Sequence, residues 1–206
     1  MHKLVIATHN QGKLLEYRQL LADLPLEVVS LDDLGITEDA PETGRTFAQN
    51  AQMKALAYAE MTGLATWADD SGLEVDALGG QPGVYSARYG GPGLSDSDRV
   101  RLLLQALHDL PSPQRTARFR CAVAIALPDG SLHTVEDSVE GVIAGAPRGG
   151  NGFGYDPVFL LPDRNLTMAE LPPTIKNRIS HRGKAAHAAK LLIAQIIDQM
   201  PSHKQD

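Results

Sequence analysis

Ala117-Arg-Phe-Arg-Cys-Ala-Val-Ala-Ile-Ala-Leu127 runs into Pro128-Asp129-Gly130, and Ser131–Val142 (SLHTVEDSVEGV) follows. Two long strand-forming runs separated by three turn residues, one of them glycine, read as a β-hairpin. Upstream the pattern differs. Lys3–Thr8 reads as a buried strand, about Gly12–Ala22 as an amphipathic helix, and Glu27–Ser30 as a short strand. About Phe47–Thr62 reads as a long Ala-rich helix behind a Thr46/Gln49 capping box. Ala65–Asp69 reads as a strand that stops at Asp69-Asp70 and turns at Ser71-Gly72. Alternating strands and helices favour parallel pairing, whereas a long hairpin is antiparallel. Together they predict an α/β fold on a mixed β-sheet rather than a doubly wound one.

Working outward, Ser95 is placed to cap a helix of about Asp96–His108, and Val158–Leu161 reads as a short strand. Thr167 and Glu170 have capping-box spacing, a short helix runs to about Ser180, and the last helix spans about Lys184–Gln199. No linker divides the 206 residues, so one domain over 1–206 is expected, with a frayed tail at 201–206.

Composition excludes several classes. A 43% hydrophobic chain of this length can bury a sizeable core. One cysteine, Cys121, permits neither an intrachain disulfide nor a cysteine zinc cluster. No apolar run approaches the ~20 residues of a membrane span. The apolar start, Met1–Ala7, breaks off too soon for a signal peptide, so a cytoplasmic location is expected. The net charge of −6 gives no global attraction to nucleic acid or anionic membrane. Any phosphate must be recognised by a local site.

Four clusters can carry chemistry. Thr8-His9-Asn10-Gln11-Gly12-Lys13 stands at a strand-to-helix junction, where backbone N–H groups and the helix dipole favour an anion. A simple Asn cap beside a solvated Lys is the alternative. Asp69-Asp70 offers hard oxygen ligands suited to Mg²⁺, or else caps a turn. Successive strand residues point to opposite faces, so only one of the pair is expected to face a given site. In Gly152-Phe153-Gly154-Tyr155-Asp156, glycines leave Phe153 open to stack on a base, or Phe153 plugs a tight turn. Lys176-Asn177-Arg178 and Ser180-His181-Arg182-Gly183-Lys184 form the densest basic cluster, able to hold phosphates or purine acceptors, or an exposed helix start.

Further stretches complete a pattern: Glu42-Thr43-Gly44, Asn50-Ala51 with Lys54-Ala55, Ala68-Asp69-Asp70-Ser71-Gly72-Leu73, Gly79-Gly80-Gln81-Pro82-Gly83 and Ser86-Ala87-Arg88-Tyr89. With the four clusters, in this order from Leu4 to about Ile197, the chain resembles the inosine triphosphate pyrophosphatase family. That resemblance implies an elongated mixed sheet flanked by helices, with two lobes and an active-site cleft between them. It implies Mg²⁺-dependent hydrolysis of dITP, ITP and XTP to monophosphate and pyrophosphate, by a homodimer that clears deaminated purines. By carry-over, Thr8, Asn10, Lys13, Lys54 and Ser71 meet the triphosphate. Asp70 is the catalytic carboxylate and a metal ligand, with Glu42 and Asp69 as further metal candidates. Phe153, Gly154, Tyr155, Asp156, His181 and Arg182 surround the base, and Lys176 closes that pocket. A pyrophosphatase for other modified nucleotides and a non-catalytic nucleotide-binding module are the competing expectations.

Overall fold

The computed structural model describes residues 2–199, so the tail at 201–206 lies outside the described residues. The elements in chain order are β1 (His2–Ile6), α1 (Gln11–Leu20), β2 (Leu26–Ser30), α2 (Phe47–Thr62), β3 (Ala65–Val75) and α3 (Asp96–Ala106). They continue with β4 (Thr116–Ala126), β5 (Leu132–Ile143), β6 (Phe159–Leu161), β7 (Leu166–Thr167), α4 (Pro173–Ile179) and α5 (His181–Gln199). The strands form one mixed sheet, ordered β2-β1-β3-β4-β5-β6-β7. β1 is parallel to β2 and β3, and every pairing from β3 to β7 is antiparallel. β3, parallel to β1 and antiparallel to β4, therefore joins a parallel half to an antiparallel half that begins with the β4–β5 hairpin.

The side-chain alternation of each strand sorts the core into faces. Leu4, Ile6, Trp67, Cys121, Val123 and Ile125 point toward α1 and α5. Val5, Ala7, Ala68, Ala122, Ala124 and Ala126 point the other way, against Ala51, Ala55 and Ala59 of α2. Small residues on both sides of that contact let the helix lie close on the strands. A third cluster, built on Leu73, Val75, Phe119, Ile143 and Phe159, fills the far ends of β3, β4 and β5.

β3 corrects one expectation. It does not stop at Asp69-Asp70 but runs on to Val75, with Ser71 opposite Cys121 and Gly72 opposite Arg120. Gly72 makes no turn. A Cβ there would lie 2.4 Å from Ser86 Oγ and 2.6 Å from the Gly83 carbonyl oxygen, so the residue is small because another segment presses on it. That segment, the 3₁₀ turn Gly83–Arg88, covers the edge of β3 that β1 leaves free. Leu73 N donates to Ser86 Oγ at 2.8 Å.

The last helix also starts earlier than Lys184. Ser180 Oγ accepts from Gly183 N at 3.1 Å, and the Ser180 carbonyl accepts from Lys184 N at 2.9 Å. Ser180 therefore acts as an N-cap. This puts His181 and Arg182 in the first turn of α5.

The topology places a crevice. β1 pairs with β3 only from Leu4 to Ile6, then leaves the sheet toward α1, while β3 continues through Asp69, Asp70 and Ser71. The connections from β1 to β2 and from β2 to β3 lead to opposite sides of β1. Such a reversal leaves an opening at the carboxyl end of the central strand.

Candidate active site

That opening is a cavity of about 410 Å³, lined from β1–α1, the loop before α2, α2, β3, the Gly83–Arg88 turn, α3, the 153–156 turn and the start of α5. Of the expected site residues, Thr8, Asn10, Lys13, Glu42, Lys54, Asp70, Ser71, Phe153, Gly154, Tyr155, Asp156, His181 and Arg182 line it. Asp69 and Lys176 stand directly behind its wall.

At one end, Asn10 caps α1, its Oδ1 accepting from Lys13 N at 3.0 Å. Asn10 N in turn donates to Thr8 Oγ1 at 3.1 Å. The cap fixes the first turn of α1, whose N–H groups are unpaired within the helix. Lys13 is not solvated: its Nζ lies 2.9 Å from Asp69 Oδ2. Lys54 reaches in from α2 and pairs with Glu42 Oε1 at 2.7 Å.

The two adjacent aspartates take opposite faces, as strand geometry requires. Asp69 faces α1 and α5, where Lys13 holds it and Arg182 Nε lies 3.7 Å away. Burial works to raise its pKa, but Lys13, Arg182 and Lys54 outweigh burial and hold the carboxyl well below the usual range. Asp70 faces α2. Its Oδ2 accepts from Asn50 Nδ2 at 2.9 Å and its Oδ1 from Ser71 N at 3.0 Å. Here burial wins over Lys54, Lys13 and Asn50, and the pKa is raised, with Glu42 adding to the rise. Burial also pushes Glu42 upward, but Lys54, Lys13 and Arg88 bring it below its ordinary value. Neighbouring carboxylates with divergent pKa shifts suit divided roles, one a fixed counter-ion and one a proton acceptor.

Among the described residues, no group of three or more His, Cys, Asp or Glu side chains is arranged to hold a metal ion. Glu42 and Asp70 nevertheless share the cavity as oxygen donors. Mg²⁺ is commonly held by one or two carboxylates together with substrate phosphates and water, so this pair fits it. Asp69 does not join them, because its face and its cation partners commit it elsewhere.

The other end is apolar above and ionic beneath. Phe153 is half-buried. Lys176 Nζ lies 5.0 Å and Arg182 Cζ 5.2 Å from its ring centroid. Phe153 N donates to Asp156 Oδ2 at 3.0 Å, Gly154 N to Asp96 Oδ2 at 2.8 Å, and Tyr155 OH to the Ser86 carbonyl at 2.9 Å. Gly154 has φ +61°, a conformation that favours glycine. The turn is therefore pinned at each residue. Lys176 is buried between Asp156 Oδ2 at 2.6 Å and Glu16 Oε1 at 2.8 Å. Arg182 donates to Glu16 Oε2 at 2.7 Å and to Ser71 Oγ at 2.8 Å. Both cations form a buried frame under the aromatic ring rather than an exposed helix start.

His181 stacks on Phe119 with centroids 4.7 Å apart and planes 17° apart. Burial, then Arg182 and Lys176, push its pKa well below the ordinary value, so the imidazole is neutral at pH 7. Among the described residues its Nδ1 has no hydrogen-bond partner.

Sequence reading missed Glu16, Asn50, Asp96 and Phe119 as site residues. Glu16 lies one helical turn after Lys13, so its face was legible, but its partners come from residues 176 and 182. Asn50 stands in a quoted motif, yet nothing local ties it to Asp70.

A sequence model of the Ham1 family matches residues 4–191. The chain is 49% identical over 195 residues to a dITP/XTP pyrophosphatase of Bacillus licheniformis, covering 95% of this chain and 100% of that protein. It is 53% identical over 185 residues to a dITP/XTP pyrophosphatase of Geobacillus kaustophilus, covering 90% and 91%. The solved structure of a HAM1 protein from Coxiella burnetii superposes with a TM-score of 0.86 at 40% identity, covering 95% of this chain and all of that one.

Proposed function

The chain belongs to the Ham1 family, and we propose that it is a nucleoside-triphosphate pyrophosphohydrolase acting on deaminated purine nucleotides: dITP, ITP and XTP. One observation carries the reading. A single cavity has Lys13, Lys54, Glu42 and Asp70 at one end and Phe153, Asp156 and the neutral His181 at the other. Cations and carboxylates for phosphate and metal thus share one cavity with an aromatic surface for a base.

In this reading the first turn of α1, Lys13 and Lys54 hold the phosphate chain, and Ser71 adds a hydroxyl. Glu42 and Asp70 would hold Mg²⁺, which when bound offsets charge on phosphate oxygens. Asp70 takes the proton from the water that attacks the α-phosphorus. The bond from that phosphorus to the bridging oxygen breaks, and pyrophosphate leaves. Asn50 and Ser71 N aim the Asp70 carboxylate, while its raised pKa makes it a better proton acceptor than an ordinary aspartate.

The base end supports selection of a 6-oxopurine. The ring stacks on Phe153. A neutral imidazole in the tautomer with its N–H toward the base donates to an O6 acceptor, and in that tautomer it would face the 6-amino donor of adenine poorly. Arg182 contributes less directly than its place in the motif implies, since Glu16 and Ser71 already take donors from it. Homodimerisation and a cytoplasmic setting belong to the same reading through family resemblance. No helix among the described residues is long and apolar enough to cross a membrane.

The test is pyrophosphate release from dITP, XTP, ITP, dATP and dGTP, with and without Mg²⁺. Fast Mg²⁺-dependent release from the first three alone is expected. Release only from other nucleotides would overturn the base assignment, and binding without release would overturn the catalytic one.

A further inference from the structure

Arg88 lines the same cavity but has no place in the scheme above. It is the least committed cation at the phosphate end. Lys13 is 2.9 Å from Asp69 and Lys54 is 2.7 Å from Glu42, so both charges are already matched. Arg88 Nη1 lies 3.7 Å from Glu42 Oε2, outside hydrogen-bond distance, and shares that carboxylate with Lys54. Its side chain is 51% exposed. It can be re-aimed with little loss of buried contact.

Its base is nonetheless fixed. Ser86, two residues earlier, accepts from Leu73 N at 2.8 Å and donates to the Gly83 carbonyl at 2.6 Å. The Ser86 carbonyl accepts from Tyr155 OH. The guanidinium lies 5.9 Å from the Tyr85 ring centroid, which gives it a shelf. Arg88 thus projects from a braced turn toward Glu42, and among the described residues it has no ionic contact at the Phe153–Asp156 end.

A nucleoside triphosphate brings close to four negative charges into this cavity. Mg²⁺ on Glu42 and Asp70 would offset part of that charge, two already-paired lysines leave the remainder short of partners, and a planar guanidinium fork suits two phosphate oxygens at once. We propose that Arg88 contacts the substrate, exchanging its loose approach to Glu42 for oxygens of the pyrophosphate portion of the phosphate chain. This rests on the pyrophosphohydrolase reading above.

The test compares wild type, Arg88→Gln and Arg88→Lys in dITP turnover and in its inhibition by inorganic pyrophosphate and by inosine monophosphate. Arg88→Gln is expected to raise the inhibition constant for pyrophosphate by about ten- to a hundredfold, the scale of a lost charge-assisted hydrogen bond. The constant for the monophosphate stays unchanged. Arg88→Lys recovers part of the loss, because it restores the charge without the fork. An unchanged pyrophosphate constant, or an equal rise for both inhibitors, overturns the proposal. Calorimetric titration of each protein with pyrophosphate gives the same comparison without turnover. Absence of dITP hydrolysis by wild type would therefore count against the parent reading, and normal pyrophosphate affinity in Arg88→Gln against Arg88.

Discussion

Asn50 Nδ2 donates to Asp70 Oδ2 at 2.9 Å, tying the second turn of α2 to the middle of β3. The same Asn50 accepts from Gly44 N through its Oδ1 at 2.8 Å. One amide thus fixes both the carboxylate and the loop that carries Glu42. Asn50→Ala is expected to lower kcat for dITP about tenfold or more while changing KM little, since the loss falls on aim rather than on substrate contact. Asp70→Asn should lower kcat by at least about a hundredfold with nucleotide binding retained. Steady-state kinetics and a binding titration check both. Near-normal turnover in Asp70→Asn would remove that residue from the chemistry.

Glu16 joins the two buried cations of the base end, Lys176 at 2.8 Å and Arg182 at 2.7 Å. Removing it leaves Lys176 with Asp156 alone, and Arg182 with Ser71 and a carboxylate of Asp69 3.7 Å away. Truncating one member of a buried ionic network costs about 3–5 kcal/mol. Glu16→Ala should lower the unfolding free energy on that scale and raise KM for dITP. Denaturant unfolding reads the first effect. A loss under ~1 kcal/mol would show that solvent reaches this network and screens it.

The mixed fold was legible because the hairpin around Pro128-Asp129-Gly130 announced antiparallel pairing next to alternating strand and helix. The first turn of α1 was legible because Asn10 is a strong cap placed just after an apolar run. Asp69 and Asp70 were legible as a divided pair from strand geometry alone. Their partners were not. Lys13, Arg182 and Asn50 reach them from three different helices, and no local spacing encodes such contacts. Gly72 misled because glycine next to serine signals a turn, whereas here it answers to a neighbour that only the tertiary structure brings near. Ser180 was overlooked as a cap because a short helix was already expected to end there.

Gly72 is accordingly a test of packing beside the strand that carries Asp69 and Asp70. The two atoms nearest a new Cβ are Ser86 Oγ, held by Leu73 N, and a backbone oxygen of Gly83. Neither is the free end of a flexible side chain. Gly72→Ala should destabilise the protein by about 1–3 kcal/mol, the usual cost of overpacking, although alanine is the better-ordered residue in an unstrained strand. It should also lower kcat, because Ser71 and Asp70 shift with it. Equal stability of variant and wild type in urea would mean that the Gly83–Arg88 turn yields freely.

The neutral imidazole of His181 sets a pH dependence whose sign can be worked out. Its folded pKa lies well below the ordinary 6.5, through burial first and then Arg182 and Lys176. Below pH 6.5 the unfolded chain takes up a proton here and the folded chain does not. Stability therefore falls as pH falls, by about 1.4 kcal/mol per pH unit from this group, until the folded pKa is reached. The slope is about half that at pH 6.5 and vanishes about one unit above it. His181→Phe keeps a ring against Phe119 and removes the proton site. Its stability should decline less than that of wild type between pH 6.5 and 5.5, the difference reaching about 1 kcal/mol. Asp70 and Asp156, whose pKa values are raised, act with the opposite sign in acid but are common to both proteins and cancel in the comparison. Denaturant unfolding of the two proteins at several pH values reads the difference directly. Parallel curves would mean that His181 binds its proton equally well in the folded and unfolded chain, and that burial does not hold the imidazole neutral.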